Sequence, residues 1–306
     1  MDLEEKELEN ELEENEEESK QTEAMLESVR QMSDFSWLVH IQLAIERLRI
    51  ATQVRLTHLA KQNKADAPSE EAFGRLKELE SWIDIRVAEK LAYHPAYHWF
   101  STIKGIGSEN IGKVLRYLDI NKASYISSFW KYAGYSVEDG KSPRAKKGEK
   151  TTYNYRLRTF CWRLGVALRK ARGAYYDYYV ERKAIEKEKF IKLGFQVVTA
   201  EEFKKLKKEA KETTVSEVWV NNRALRKMIK LFLSHLFVVW REAEGLPVSP
   251  PYAIERLGHK HYYDPWTFID KAKEKKLEKK RNNIPEKVKK VKASSNGRKK
   301  RAVAIK

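Results

Sequence analysis

The chain has 306 residues, of which 42% are hydrophobic and 11% aromatic, and its formal net charge is +17. This length predicts one large or two modest domains, and the composition excludes a wholly disordered chain. The charge is uneven, because residues 1–30 carry −10 and the remainder therefore carries +27. Such a basic remainder indicates a polyanionic partner and favours nucleic acid.

Three further features limit the class of protein. No apolar run approaches the roughly 20 residues that span a bilayer, so no membrane partner is expected. The N-terminus is acidic and lacks the pattern of a signal peptide. The single Cys161 excludes an internal disulfide and a cysteine-rich zinc site, which is typical of a reducing compartment. We therefore expect a cytoplasmic, nucleoid-associated protein.

The first predicted segment is an acidic tail, residues 1–33, with a sparse leucine stripe. One interpretation is a solvated and partly helical tail. The other is a nucleic-acid mimic that shields the basic body or tunes its affinity for DNA. The sequence leaves both open.

A helical hairpin is predicted next. Between Asp34 and Lys61 apolar residues recur every three or four positions, and a second helix with the same pattern runs to Leu91. The polar break between them contains Ser69, the predicted N-cap of the second helix. We therefore expect an antiparallel hairpin or coiled coil over residues 34–92, through which copies of the chain form a homo-oligomer.

Residues 99–118 have the spacing of a helix-hairpin-helix, in which an apolar helix end meets a Gly-Ile-Gly turn. Ser108 is the predicted cap of the second helix. Glycine reaches positive φ at low cost, and the N–H groups that start a helix form an anion site. The alternative is a tight turn that binds nothing, but the basic surroundings favour a phosphate. The residues predicted to contact DNA here are Lys104, Gly105, Gly107, Ser108 and Lys113.

A strongly basic stretch follows a short apolar helix that ends at Gly134. Residues 141–172 contain eleven Lys or Arg and one acid, interleaved with Tyr and Trp. A phosphate backbone would compensate the repulsion among so many cations. The predicted DNA-binding residues in this stretch are Lys141, Arg144, Lys146, Lys147, Lys150, Arg156, Arg158 and Arg163.

The remaining chain is predicted to be helical up to a basic tail. Residues 173–184 are predicted to extend the preceding helix. Residues 185–214 are heavily charged, and their Lys204–Lys211 region is predicted to be an exposed helix or an insertion. Residues 219–247 are predicted to form the most hydrophobic helix. Residues 266–306 are predicted to be a disordered polycation that adds non-specific affinity.

The predicted fold class is therefore all-α. A helical hairpin or coiled coil precedes a helix-hairpin-helix-containing helical DNA-binding domain over residues 93–265, and both termini are charged and disordered.

The order of these features resembles the C-terminal transposase domain of the insertion-sequence one-ten, one-sixteen and nine-oh-two family. That domain reads as a helix-hairpin-helix, a "YAG" helix end, a basic loop with a serine, an Asn-x-x-Leu-Arg-like helix and a later Arg-Lys helix. The counterparts here are IKGIGSENIGKVL, FWKYAGY, DGKSPRAKKG, YNYRLRTFCWRL, YYDYYVERK and NRALRKMIKLFLSHLFVVW. The resemblance covers roughly residues 35–265, and the order of several weak motifs carries it.

The resemblance implies DNA as partner, a role in transposition or recombination, and a structured guide RNA as a further partner. In that family a preceding resolvase-like domain of the RNase H fold supplies carboxylates for divalent metal. No alternating strand pattern precedes the hairpin here, so we expect that half to be absent. No cofactor is evident in the chain, and a metal such as Mg²⁺ is expected only with a resolvase-like partner.

The resemblance also assigns a role to one serine. The family's serine is proposed as the nucleophile that attacks DNA, and its position in the basic loop corresponds to Ser142. The neighbouring Lys141, Arg144, Lys146 and Lys147 are expected to hold the phosphate and to stabilise developing charge. The alternative for a serine in a Gly/Pro/Lys loop is a turn residue.

No metal site is predicted. His94 and His98 are four residues apart, but a proline between them disturbs a shared helix face, and His259 and His261 are favoured as surface residues. Two functions stay open. The chain is either a component of transposition or recombination, or a non-catalytic DNA- or RNA-binding protein that kept only the binding half. The sequence leaves open whether the chain is an enzyme.

Overall fold

The computed structural model describes residue 23 and residues 32–137, 140, 142–145, 148–248 and 263–282. Eleven α-helices and one small sheet account for most of these residues. The mostly helical fold is thereby confirmed. Within the same ranges, none of the helices combines the length and the apolar character that a membrane crossing needs.

The described chain divides into two compact units. The first contains the residues through His94 together with residues 111–117. The second contains residues 95–110 and those from Leu118 onward. Each unit is described by itself below.

The first unit is built on two antiparallel helices, α1 (Asp34–Lys61) and α2 (Ala67–Leu91). Lys90 Nζ lies 3.1 Å from Asp34 Oδ2 near one end of the pair, and Arg55 Nη2 lies 2.7 Å from Asp66 Oδ2 near the other. These contacts fix the antiparallel register. The apolar residues buried in the pair are Leu38, Val39, Ile45, Ile83, Val87 and Leu91.

The start of α2 differs from the prediction. Its N-cap is Asp66, whose side chain accepts a hydrogen bond from the Ser69 backbone N–H at 3.5 Å. Ser69 therefore lies inside the first turn, and its prediction as the cap was wrong. Pro68 also fits there, because a proline in the first turn lacks an N–H that has no helical partner anyway.

In the second unit, α3 (Tyr97–Thr102) leads through a glycine turn to α4 (Ser108–Leu115), whose residues from Ile111 belong to the first unit. Three helices follow. They are α5 (Ile126–Tyr132), α6 (Tyr155–Ala171) and α7 (Ala174–Lys192).

The predicted continuous helix through residues 173–184 is interrupted. Arg172 takes a left-handed conformation with φ 52°, and α7 begins after Gly173. A Cβ on Gly173 would lie 3.0 Å from the Cβ of Lys104, so the break also brings this glycine close to the α3–α4 connection. The prediction that one helix runs through this point was wrong.

Residues 193–216 contain the strands that the all-α prediction missed. Strand β1 (Gln196–Val198) is followed by α8 (Ala200–Lys205), α9 (Lys208–Glu212) and β2 (Thr214–Ser216). The two strands pair in parallel, with Val197 opposite Val215. A satellite apolar cluster of Phe190, Val215 and Val220 holds this insertion on the adjoining helices.

The core of the second unit surrounds α10 (Glu217–Ala243), which buries one whole face. The Trp99 ring stacks on Phe232 at 5.7 Å. A Cβ on Gly165 of α6 would lie 2.5 Å from Ile229 Cγ1, so only glycine allows α6 and α10 to approach this closely. These contacts set the spacing of the elements that carry the candidate site.

The predicted disordered tail starts too early. Residues Pro265–Phe268 form a 3-10 turn, in which Phe268 is buried and the Pro265 carbonyl accepts a hydrogen bond from Trp99 Nε1 at 2.9 Å. Helix α11 (Lys271–Asn282) follows, and Lys273 Nζ donates to the Ile103 carbonyl at 2.9 Å. The boundary predicted at residue 266 was therefore wrong. Residues 1–22, 24–31 and 283–306 lie outside the described residues.

Candidate nucleic-acid interface

Ser142 lies in the loop between α5 and α6 and is half-buried. Its hydroxyl oxygen accepts hydrogen bonds from two arginines, Nη2 of Arg158 at 3.3 Å and Nη1 of Arg226. Arg158 also donates to the Pro143 carbonyl at 2.8 Å, which fixes the loop on α6. The fold thus brings one serine hydroxyl together with guanidinium groups from two helices.

Local structure positions Arg158. The Asn154 side chain caps α6 by accepting from the Leu157 N–H at 3.0 Å, so that Arg158 falls in the first turn. Its guanidinium lies 4.8 Å from the centroid of the Tyr153 ring, a cation–π contact. The Tyr135 hydroxyl donates to the Arg158 carbonyl at 3.2 Å. Arg158 is therefore held at three points: its guanidinium contacts the Tyr153 ring and hydrogen-bonds the loop, and its backbone carbonyl accepts from Tyr135.

Gly134 makes this arrangement possible. It follows the end of α5 with φ 70°, a backbone conformation that residues with a Cβ rarely adopt. A Cβ there would lie 2.7 Å from Tyr153 Cδ2 and 3.1 Å from Arg158 Cδ. The glycine of the YAG sequence is therefore required by the packing of the residues that position Arg158.

Positive charge accumulates around Ser142. Burial, followed by the positive charges of Arg158 and Arg144, lowers the pKa of Arg226. Among the residues that the structure describes, neither Arg158 nor Arg226 has a carboxylate within 4 Å. Glu138 and Asp139, which precede Ser142 in the chain, lie outside the described residues. Within the described chain, the serine hydroxyl therefore sits in an electropositive site.

Arg226 belongs to a row of cations on α10 that we call the α10 basic face. Counted from the first of these cations, the others follow after three, four and seven residues, which places all of them on one side of the helix. Residues 218–240 contain no Asp or Glu. The α10 basic face consists of Arg223, Arg226, Lys227 and Lys230.

Lys230 is the most enclosed lysine of this face. Its Nζ lies 4.0 Å from the centroid of the Trp130 ring, and Trp130 Nε1 donates to the Lys230 carbonyl at 3.1 Å. Burial, followed by the charge of Lys227, lowers the pKa of Lys230 to about 8. Partial desolvation also lowers the pKa of Lys227, although the negative charge of Glu186 opposes this. Burial in the fold therefore disfavours the charged forms of Lys227 and Lys230.

One buried carboxylate lies at the end of the face nearest Arg223. Glu186 of α7 is 1% exposed, and its two oxygens lie 3.1 Å from Arg182 Nη2 and 3.0 Å from Arg223 Nε. Burial alone would raise the pKa of Glu186, but Arg223 and Lys189 hold it below its usual value. This carboxylate neutralises only part of the surrounding charge.

The glycine turn gives a different picture from the predicted phosphate grip. Gly105 has φ 94°, and a Cβ there would lie 2.6 Å from the Ala171 Cβ and 3.0 Å from the Ala167 carbonyl oxygen. The backbone that comes close to this glycine is therefore helix α6 of the protein itself. Gly107 has open space around its Cα, and its φ is not positive. Positive φ is thus needed at the first glycine and not at the second.

The other residues predicted at this turn lie as follows. Lys104 is exposed. Ser108 was predicted to be the N-cap of α4, and in the structure it is the first residue of that helix. Lys113 is 1% exposed, and its Nζ lies 2.7 Å from Glu46 Oε2 within the first unit. The prediction that Lys113 contacts DNA therefore conflicts with its position, because its ammonium is already buried and paired.

The basic residues predicted after Gly134 fall into three groups. Arg144 and Arg158 lie at the Ser142 site. Lys150, Arg156 and Arg163 are exposed, and the Arg156 guanidinium lies 5.8 Å from the centroid of the Tyr155 ring. Lys141, Lys146 and Lys147 lie outside the described residues.

The histidines do not form a metal site within the described residues, where no group of three or more His, Cys, Asp or Glu could hold an ion. Burial lowers the pKa of His94 to about 4, and the His98 ring lies 6.1 Å from the Trp266 ring. His259 and His261 lie outside the described residues.

Sequence reasoning missed the α10 basic face, because α10 was interpreted only as a core helix. The spacing of its cations in NNRALRKMIK was the signal that could have identified it. Comparison of the chain with protein-family models, with curated proteins and with solved structures finds no match.

Proposed function

We propose that this chain binds DNA and acts in DNA transposition or recombination as the DNA-engaging half of the machinery. The observation that supports this most is the Ser142 hydroxyl held by Arg158 and Arg226, with no carboxylate paired to either arginine among the described residues. A phosphodiester supplies the missing negative charge, and arginine forks match its oxygens in pairs.

The proposed chemistry is attack of Ser142 on a DNA phosphate. The Ser142 Oγ–P bond forms, a P–O bond to a deoxyribose oxygen breaks, and the leaving oxygen takes up a proton while the serine proton passes to water. The hydroxyl already accepts two N–H donors, so the arginines favour its ionised form and stabilise charge on the phosphoryl oxygens. In this proposal a resolvase-like partner supplies carboxylates that hold a divalent metal.

The second candidate is a non-catalytic DNA- or RNA-binding protein that uses the same surface. It shares the basic face and requires no partner and no covalent step. The two candidates agree on binding and differ on Ser142.

Binding and chemistry are tested separately. We expect the full chain to bind a labelled DNA duplex with an affinity that falls by orders of magnitude between 50 and 200 mM salt, since six or more phosphates are neutralised. An affinity that stays flat over this range would overturn the proposal. Competition with an RNA of matched length measures the preference for DNA.

The serine is tested with supercoiled DNA, divalent metal and the products of neighbouring genes. Ser142→Ala should leave DNA affinity within about twofold, because one hydroxyl adds little to many cationic contacts. It should abolish both strand cleavage and the protein–DNA adduct that survives denaturation. The matched control is Ser127→Ala, which changes an exposed serine of α5. Binding without any serine-dependent adduct would leave the non-catalytic function.

We also propose that the helical hairpin pairs with a second copy of this chain. Large apolar side chains are exposed on both helices, with Val54 at 64%, Ile85 at 53% and Trp82 at 50%. Such residues at helical spacing fit a second hairpin of the same kind. Light scattering after chromatography should give a dimer or larger assembly, which Trp82→Lys with Ile85→Lys should convert to a monomer. A wild-type monomer at micromolar concentration would contradict this.

A further inference from the structure

The α10 basic face carries more positive charge than the fold itself compensates. Arg226, Lys227 and Lys230 have no carboxylate within 4 Å among the described residues, and the buried Glu186 is shared by Arg182, Arg223 and Lys189. Cations are usually left unpaired where they extend freely into water. Here Arg226 and Lys230 are half-buried, so the usual explanation of a solvated surface does not apply to them.

The neighbours of these residues do not remove the cost. Lys230 is covered by the Trp130 ring, and Arg226 is turned onto Ser142 near Arg158 and Arg144. A cation–π contact stabilises an ammonium by less than a desolvated ion pair does. The arrangement is therefore that of a site in which an external anion completes the charge balance.

The length of the face suits a linear polyanion. Arg223 and Lys230 are seven residues apart, which corresponds to a rise of about 10 Å along the helix. Phosphates of one DNA strand rise by about 3.4 Å along the duplex axis but lie about 7 Å apart along the winding strand, so this length reaches about two to three of them. The α10 basic face reaches the serine, because Arg226 belongs to the face and also donates a hydrogen bond to Ser142.

We propose that the α10 basic face binds consecutive phosphates of one DNA strand. Arg226 and Arg158 hold the phosphate beside Ser142, and Lys227 and Lys230 hold the phosphates that follow. This inference rests on the proposed function and deepens it, because it assigns the track of the strand beyond the phosphate beside the serine. The contacts are to the backbone, so they position the strand without reading its sequence.

The choice of side chains fits these separate tasks. Arginine presents a planar fork that binds two oxygens of one phosphate, which orients the group next to Ser142. Lysine is a compact charge on a flexible stem, which follows a backbone without fixing its angle. From Arg226 towards the C-terminal end of α10, the face continues with two lysines.

The test uses the full chain and a fluorescein-labelled DNA duplex, titrated at several salt concentrations. We expect Lys227→Gln with Lys230→Gln to weaken binding at least tenfold at 100 mM salt. The slope of log affinity against log salt should become shallower by about 2, because each lost phosphate contact removes about 0.9. The matched control is Lys204→Gln with Lys205→Gln, which removes two exposed charges from α8 of the same chain. Its slope should equal that of the wild type.

A conservative pair separates charge from packing. Lys227→Arg with Lys230→Arg keeps both charges, so its slope should stay near that of the wild type even where stability changes. Circular dichroism verifies that each variant is folded at the assay temperature. Equal slopes for the two glutamine variants, with steep binding by the wild type, would overturn this inference and leave the proposed function intact. A wild type that does not bind DNA would overturn both.

Discussion

Lys113 and Lys230 show how differently the two units hold a lysine away from water. Lys113 is 1% exposed, and its ammonium lies 2.7 Å from a carboxylate oxygen of Glu46. Lys230 is half-buried against the Trp130 ring and has no carboxylate within 4 Å among the described residues. A buried charge that is paired inside the chain fixes the fold, whereas a charge left unpaired is available to a partner.

The contrast extends to the elements around each lysine. In the hairpin, Arg55 pairs with Asp66, and Arg49 pairs with Glu80. On α10, Arg226 has only Ser142 as its hydrogen-bond partner among the described residues. The hairpin therefore uses these two arginines for its own structure, and this difference supports α10 as the proposed surface for a polyanion.

The largest effect is expected where the internal pair is broken. Glu46→Gln removes the carboxylate that lies 2.7 Å from the buried Lys113 ammonium, and we expect the free energy of unfolding to fall by about 3 kcal/mol. Urea denaturation measures it. The control Glu71→Gln breaks the exposed pair with Arg75 and should change stability little. Equal losses in the two variants would show that burial of the pair is irrelevant.

The glycine turn tests whether a third region shares the phosphate-binding role proposed for α10. We expect Gly105→Ala to destabilise the chain by about 2 to 3 kcal/mol, because of its positive φ and the close approach of Ala171. Gly107→Ala has open space and an ordinary φ, so its melting temperature should stay unchanged. Weaker DNA binding by Gly107→Ala at unchanged stability would restore an anion site at this turn.

His235 represents a third way to bury a basic group, namely in its uncharged form. The Tyr263 carbonyl can only accept at 2.9 Å, so His235 Nε2 carries the proton, and Nδ1 accepts from the Tyr175 hydroxyl at 2.8 Å. Burial lowers the pKa of His235 to about 4, although Tyr263 and Asp264 oppose this.

The unfolded chain therefore binds a proton near pH 6.5 that the folded chain does not yet bind. Above pH 6.5 His235 does not lower the free energy of unfolding. Below pH 6.5 the free energy of unfolding falls as the pH approaches 4, by about 2 kcal/mol at pH 5. Urea denaturation at pH 7 and pH 5 measures this loss. His235→Gln should retain only part of the dependence, because His94 acts in the same direction. An unchanged dependence would exclude His235 as its source.

The smallest expected effect is at Lys230, where removal of the charge should raise the free energy of unfolding, whereas Glu46→Gln should lower it. Burial lowers the pKa of Lys230 to about 8, so the folded state disfavours its charge and stability should rise as the pH rises from 8 towards 10.5. Lys230→Met keeps the aliphatic stem and removes the charge. Allowing for solvent screening and the lost Trp130 contact, we expect it to stabilise the chain by about 1 kcal/mol at pH 7.

Thermal melts at pH 7 and pH 10 measure this effect, which should vanish at the higher pH. The same variant should bind DNA more weakly. Destabilisation at pH 7 would mean that Lys230 serves the fold in the same way as Lys113 does, and the comparison between the two lysines would fail.

Local sequence determined the helices. The three- and four-residue recurrence of apolar side chains predicted a helix from Asp34 to Lys61, and the structure has α1 with these bounds. Periodicity succeeded there because the residues that α1 buries, which lie between Leu38 and Ile45, recur at this spacing. It failed at Arg172, where a single left-handed residue breaks the helix without any change of pattern, and at β1 and β2, which are too short to show alternation.

Composition placed the positive charge in the chain, but only the tertiary structure decided which cations are available to a partner. Lys113 and Arg226 look alike in the sequence, each being a basic residue in an apolar helix. One is paired with Glu46, 67 residues away, and the other meets Ser142, 84 residues away. Such partners are set by close helix packing, as where Gly165 admits Ile229, and no local pattern encodes contacts at that separation.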